Sequence, residues 1–330
     1  MQTPDDSSGS VPTVADGGGA AATIATAIAA AIAAAQPQPP GGGDAQAYPH
    51  PGPTVARMLL GAQLRRLREE AGITCEDAGE TIRASGSKIS RLELGRTGFK
   101  IRDVTDILTL YGVHDEADRA TLTALARQAN LPGWWRPFSD VIPSWFEPYL
   151  GMEQAASVIR CFEIQFVPGL LQTEGYARAV MRLDTDATET EIKLRLALRM
   201  RRQQLVHQPA PPHLWAVIDE AVLRRPMGGD EIMREQIRHL IELSQLPHVT
   251  IQVMPFSAGG HSAAGGPITL LRFAQGRLPD VVCLEQLNSA VYRDKPSDSL
   301  HYWNVLNSLA TEAADPAAST QIMRRWMGGP

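Results

Sequence analysis

A chain of 330 residues with 44% hydrophobic content is long enough for about two domains with packed cores. Its net charge of −5 excludes a general polyanion binder, so affinity for nucleic acid has to come from a local patch. Cys75, Cys161 and Cys283 lie far apart, match no CxxC spacing and are odd in number, which points to reduced thiols in a cytoplasmic protein rather than a disulfide framework.

Residues 1–55 read as a disordered tail. Gly17-Gly18-Gly19, Pro37-Gln38-Pro39-Pro40, Gly41-Gly42-Gly43 and Pro51-Gly52-Pro53 cannot support a packed core. The alanine-rich run from Ala20 to Ala35 is shorter than the roughly 20 strongly apolar residues a bilayer requires. No Lys or Arg precedes it, so it lacks the basic region of a signal peptide. The first positive charge is Arg57, and folding is expected to begin near there, giving a first domain over 56–130.

This domain is helical throughout. Leu60, Leu64, Leu67 and Ala71 form one apolar stripe, and Gly72 ends that helix. Thr74 caps a second short helix with Asp77 completing a capping box, and Cys75, Ala78, Gly79 and Ile82 form its apolar face. Ser85 caps a third helix, with Ile89 and Leu92 inward. A fourth follows with Val104, Ile107, Leu108 and Tyr111 inward. A fifth runs from about Asp115 to Asn130 with Leu122, Leu125, Ala126 and Ala129 inward. The third helix lies in a basic stretch, where Arg83, Lys88, Arg91, Arg96, Lys100 and Arg102 stand against Glu93 alone.

Leu64 to Thr74, Ser85 to Glu93 and the run Ser-Lys-Ile-Ser-Arg-Leu-Glu-Leu-Gly-Arg ending at Arg96 resemble the lambda-repressor-like, XRE-type helix-turn-helix domain. The resemblance implies an all-α five-helix fold that binds double-stranded DNA. Gly86, Ser87 and Ser90 match positions that face base edges in that family. Lys88 and Arg91 are long enough to reach a guanine or a flanking phosphate. Ser85 and the helix start suit a phosphate. Arg96 and Lys100 suit the DNA backbone, and Thr74 and Arg83 complete the candidate DNA-binding set. Two positions depart from the family. Cys75 stands where Gln is usual, and Arg83 stands where the turn usually has Gly, which predicts a left-handed backbone there. The plain alternative for the third helix is a surface helix with solvated charges. Because Gly86 and Ser87 are small, water, backbone and DNA shape are expected to carry part of the specificity. A homodimer on two half-sites about one DNA turn apart would supply affinity.

Residues 131–150 read as an aromatic and Pro-rich connector, with Trp134, Trp135, Trp145, Phe146 and Tyr149. Core packing between domains and the lining of an effector pocket are both compatible with it. Residues 151–330 read as an α+β regulatory and dimerisation domain with a mostly antiparallel sheet. Thr188 and Glu191 cap a long helix ending near His207, and Asp230 starts another with Ile232, Ile237, Leu240 and Ile241 inward. Strands are expected at 214–220, at 249–254 as a half-buried strand, and at 268–273, 281–285 and 290–293. Two helices, 297–314 and 316–327, follow. Gln165, Gln172, Glu174, Tyr176 and Arg178 form a polar group that suits either a ligand or a capped surface helix. Gly260 to Gly265 fails as a hydrolase elbow, because the second Gly is one residue late and a strand follows. The histidines show no metal spacing, so neither an enzyme nor a metal or cofactor is expected.

Val167-Pro168-Gly169-Leu170-Leu171-Gln172-Thr173-Glu174-Gly175-Tyr176-Ala177-Arg178, with the strands after it, resembles the C-terminal domain of a large actinobacterial, antitoxin-like family of transcription regulators. That resemblance implies a cytoplasmic, nucleoid-associated regulator without a membrane anchor. It also implies control by a small protein encoded by a neighbouring gene. Control by a small-molecule ligand sensed in the C-terminal domain is the second reading.

Overall fold

The computed structural model describes residues 52–263, 265–274 and 278–327. The tail expected at the start of the chain lies outside the described residues, apart from its last few positions. Those positions are helical. Pro53 occupies the first turn of α1 (Pro53–Glu70), where its missing N–H costs nothing, so the helix starts ahead of the expected boundary at 56. Leu60, Leu64 and Leu67 are buried as the stripe requires. Ala71, expected to extend it, is the C-cap residue and is exposed.

Four further helices follow: α2 (Cys75–Thr81), α3 (Gly86–Glu93), α4 (Ile101–Leu110) and α5 (Glu116–Ala129). The Thr74–Asp77 capping box forms at the start of α2. α1 to α4 end in one and the same way. The residue after the C-cap has positive φ, and two backbone N–H groups reach back to the last turn. For α1 these are Gly72 to Glu69 O and Ile73 to Arg68 O; α3 uses Gly95 and Arg96, and α4 uses Gly112 and Val113. In α2 the same motif is made by Arg83 to Glu80 O and Ala84 to Gly79 O. The buried faces of α1 to α5 then close on one core that includes Leu60, Leu64, Ile89, Leu108 and Leu125.

The connector packs. Trp135 is buried with Leu150 and Leu198, and Phe146 stacks on Tyr149 at 5.3 Å. α6 (Glu147–Ala155) then contacts α1, where a Cβ on Gly151 would collide with the Thr54 side chain.

Residues 156–293 build a six-stranded mixed sheet in the order β3-β2-β1-β4-β5-β6. The strands are β1 (Ala156–Glu163), β2 (His213–Asp219), β3 (Val249–Met254), β4 (Ile268–Phe273), β5 (Val281–Glu285) and β6 (Ala290–Arg293). β1, β2 and β3 are parallel, whereas the β1–β4, β4–β5 and β5–β6 pairings are antiparallel, so the sheet is mostly but not wholly antiparallel. The parallel half needs crossovers. One carries α7 (Glu174–Met181) and α8 (Glu189–His207); the other carries α9 (Glu220–Arg224) and α10 (Asp230–Leu243). β2 stops at Asp219, whose side chain caps α9, so Glu220 is helical rather than part of the strand.

One face of the sheet, with Ile159, Cys161, Ala216 and Ile251, joins the large core with α10 and with Ile322 and Met323 of α12 (Pro316–Met327). The other face, with Phe162, Val217, Leu270 and Val282, packs against Leu306 and Leu309 of α11 (Pro296–Glu312). β3 is therefore buried on both sides, not half-buried. Gln252 accepts from Trp215 Nε1 at 2.7 Å and donates to Ala310 O and Ala314 O at 3.0 Å each.

Arg202 of α8 and Glu153 of α6 form a bidentate pair at 2.8 and 2.9 Å, with side chains 8% and 3% exposed. The Arg202 guanidinium also lies over the Phe146 and Tyr149 rings. Removing one member leaves a buried charge without its partner. Arg202→Met should cost about 3–5 kcal/mol in urea unfolding, and Glu153→Met in the same chain should recover part of that loss.

Candidate nucleic-acid interface

The turn between α2 and α3 is set by Arg83. Its φ is +55°, making it the only non-glycine residue with positive φ among the described residues. It occupies the position that glycine fills at the ends of α1, α3 and α4, and its side chain is exposed. The strain is about 1–2 kcal/mol, because Cβ is forced towards the backbone. Gly79, one turn earlier, allows this turn to fold back. A Cβ there would lie 2.7 Å from Ala84 O.

α3 is held against α1 by a pair the sequence did not reveal. Glu93, the lone acid of the basic stretch, accepts from Arg68 Nε at 2.6 Å and from Arg68 Nη2 at 3.0 Å. The two side chains are 5% and 12% exposed. Arg68 also donates to Ile73 O at 2.8 Å, so the same guanidinium ties α3 to the α1–α2 corner. The hydrogen bond from Glu93 holds the Arg68 guanidinium well above its ordinary value. Burial, with the nearby Glu93 charge, holds the Tyr111 phenol protonated, well above its usual value. Gly61 lets the helices touch, since a Cβ there would meet Glu93 O at 2.5 Å.

With Glu93 turned inward and Ile89 and Leu92 buried, the outer face of α3 presents Ser85, Ser87, Ser90 and Arg91, all exposed. Arg91 has no hydrogen bond or ion pair among the described residues. Ser85 occupies the N-cap with extended dihedrals, yet its side chain makes no capping hydrogen bond. Gly86 is placed differently from its expected position at base edges. It is half-buried against Glu76, whose Oε1 would lie 2.7 Å from an added Cβ. Lys88 is only partly free, because its Nζ pairs with Asp103 Oδ2 of α4 at 2.9 Å. Thr74 spends its hydroxyl on Asp77. Lys100 is exposed at the N-cap of α4, and Arg96 is exposed with Asp294 of the C-terminal domain 3.9 Å away. The α2–turn–α3 unit thus gathers Ser85, Ser87, Ser90 and Arg91 on one surface. Arg83, Arg96 and Lys100 are exposed on the turn and on the segment that follows α3.

Among the described residues, no group of His, Cys, Asp and Glu is arranged to hold a metal ion, and no helix is long and apolar enough to cross a membrane. A short helix packed through one face, with small polar residues and arginine on the other, defines a helix-turn-helix protein. Residues 59–122 match the model of a helix-turn-helix domain. Residues 146–325, more than half of the chain, match the family described as a domain of unknown function, DUF5753, and the chain belongs to that family. No curated protein and no solved structure matches it.

Arg83→Gly should raise stability by about 1 kcal/mol in urea unfolding, because it relieves the left-handed strain at small entropic cost. A lower stability would contradict the strain assignment.

Proposed function

We propose that the chain is a sequence-specific DNA-binding transcription regulator of the XRE type. In this reading α3 enters the major groove of an operator. Ser87, Ser90 and Arg91 face base edges, while Ser85, Thr74, Arg83, Arg96 and Lys100 meet phosphates. The observation that carries the reading is the division of α3. Ile89, Leu92 and Glu93 are buried, and every exposed charge the helix retains is positive. Lys88 serves a dual role, bracing α4 through Asp103 and lying within reach of the backbone once that pair opens. Gly86 contributes closeness to α2 rather than base readout.

The few long side chains on α3 favour a homodimer reading two half-sites, with the C-terminal domain as the dimerising element. The antitoxin-like resemblance favours control by a small partner protein acting on that domain, in the cytoplasm and on the nucleoid. The protein acts by binding rather than by catalysis. A second reading, control by a small ligand, is favoured by the charged groups enclosed in the C-terminal domain.

The test uses DNA selected from random sequence by the wild-type protein. Replacing Ser87, Lys88 and Arg91 together with Ala should abolish selective binding while the circular dichroism spectrum and unfolding midpoint stay near wild type. Undiminished binding would show that another surface reads the DNA. In the same assay Arg83→Gly should lower the slope of log affinity against log salt by about 1, the contribution of one lost phosphate contact.

A further inference from the structure

Three ionisable side chains in the C-terminal domain are enclosed by protein without being paired. β1 and β5 run in the same direction, because each is antiparallel to β4. Cys161 and Cys283 both register with Thr269, so they share one row across the sheet and one face. Glu163 and Glu285 lie two residues further along each strand. They therefore stand at the same rim, on the same face, with the start of β4 between them. Two strand spacings separate their backbones by roughly 10 Å. Arg199 of α8 faces them.

No ion pair joins Arg199 to either carboxylate, and neither carboxylate has a hydrogen bond among the described residues. Arg199 Nη1 donates to Gln172 Oε1 at 2.6 Å. Gln172 is buried and held in turn by Val167 O at 2.7 Å. Arg202, the other cation nearby, is committed to Glu153. Glu163 is surrounded by protein on nearly all sides and yet keeps solvent-accessible surface, as does Arg199, and Glu285 is exposed. Deep placement with retained access is the geometry of a cleft floor. Burial, reinforced by Glu285, pushes the Glu163 carboxyl up to about 8, and burial also raises Glu285. Burial, reinforced by Arg202, lowers Arg199 to about 10. All three groups are thus held in water-poor surroundings without a partner that compensates them.

We infer that Glu163, Glu285 and Arg199 line a binding site for a small organic monocation, a primary amine or a monosubstituted guanidine. Two carboxylates and one guanidinium leave one negative charge uncompensated, and a single positive group between the carboxylates neutralises it. Gln172 holds Arg199 back from the carboxylates, which keeps the site open for an incoming cation. A buried ammonium or guanidinium bonded to two carboxylates is the charge-assisted arrangement such a site suits. This inference rests on the ligand-sensing reading above, and it names the class of ligand.

The experiment titrates the full chain with propylammonium and with methylguanidinium, using butyrate and matched sodium chloride as controls, followed by ligand-detected NMR and thermal unfolding. At least one of the two cations should bind saturably and raise the unfolding midpoint, while butyrate should do neither. Glu163→Gln keeps the side-chain shape and should weaken that binding by about tenfold or more, the range of one lost charge-assisted hydrogen bond. Glu285→Gln serves as the second variant should the first fold poorly. Absence of saturable binding by both cations, or binding unchanged in both variants, would overturn the site. Binding that leaves affinity for the selected DNA unaltered would overturn the sensing reading and leave the site standing.

Discussion

The geometry of the DNA-binding surface depends on one charge pair withdrawn from water. Arg68 and Glu93 meet bidentately beneath α3, and a third bond from the same guanidinium fixes the corner between α1 and α2. Such a pair adds little net stability, since the cost of desolvating both ions is offset by their attraction. Its effect is to specify register. Glu93 satisfies Arg68 in only one placement of α3, and Gly61 allows the helix backbones to come close enough for that placement. The pair also removes the single acid from the outer surface of the helix. A polyanion approaching α3 therefore meets serines and arginine without a neighbouring carboxylate, although the chain as a whole is acidic.

The C-terminal domain handles charge in the same way on both faces of its sheet. On one face Arg202 is neutralised by Glu153 under the aromatic connector. On the other, Arg160 has no carboxylate and lies between the Trp215 and Trp303 rings at 4.5 and 4.7 Å, with bonds to Asn307 Oδ1 and Leu306 O. Burial lowers its guanidinium below the ordinary arginine value, and the ring faces stand in for a counter-ion. The β3 edge is closed by the C-terminal segment, where Val253 N–H donates to Ser319 Oγ and Val253 O accepts from Ala314 N–H. These contacts join sheet, α11 and α12 into one body against which the connector packs.

The N-terminal helices were legible because their signals are local. Apolar spacing, the Thr74–Asp77 box and glycines after helix ends are each written within a few residues. The left-handed Arg83 was legible for the same reason. The central strand β1 was not. Ala156-Ser157-Val158-Ile159-Arg160-Cys161-Phe162-Glu163 is buried on both faces, so it lacks polar–apolar alternation, and its arginine reads as a surface residue until the two tryptophans are brought around it. β3 was found, but its second face was misread because Gln252 looks solvated in sequence and is in fact bonded inside the core. The candidate DNA residues were legible by type. Their partners, Asp103 for Lys88 and Glu76 beside Gly86, come from other helices and leave no short-range trace.

The link between Arg96 and Asp294 joins the two domains directly. Arg96 follows the recognition helix, and Asp294 follows the last strand of the sheet. A phosphate that engages Arg96 competes with that carboxylate for one guanidinium. Occupancy of the operator and seating of the sheet margin against the helical domain therefore draw on a shared resource, and the coupling is reciprocal. Whatever shifts the β5–β6 hairpin alters the electrostatic cost of gripping DNA. A bound duplex in turn loosens the hairpin by the same increment of free energy. The DNA-binding surface and the domain of unknown function thus influence one another through a single exposed arginine, without any change in the core of either.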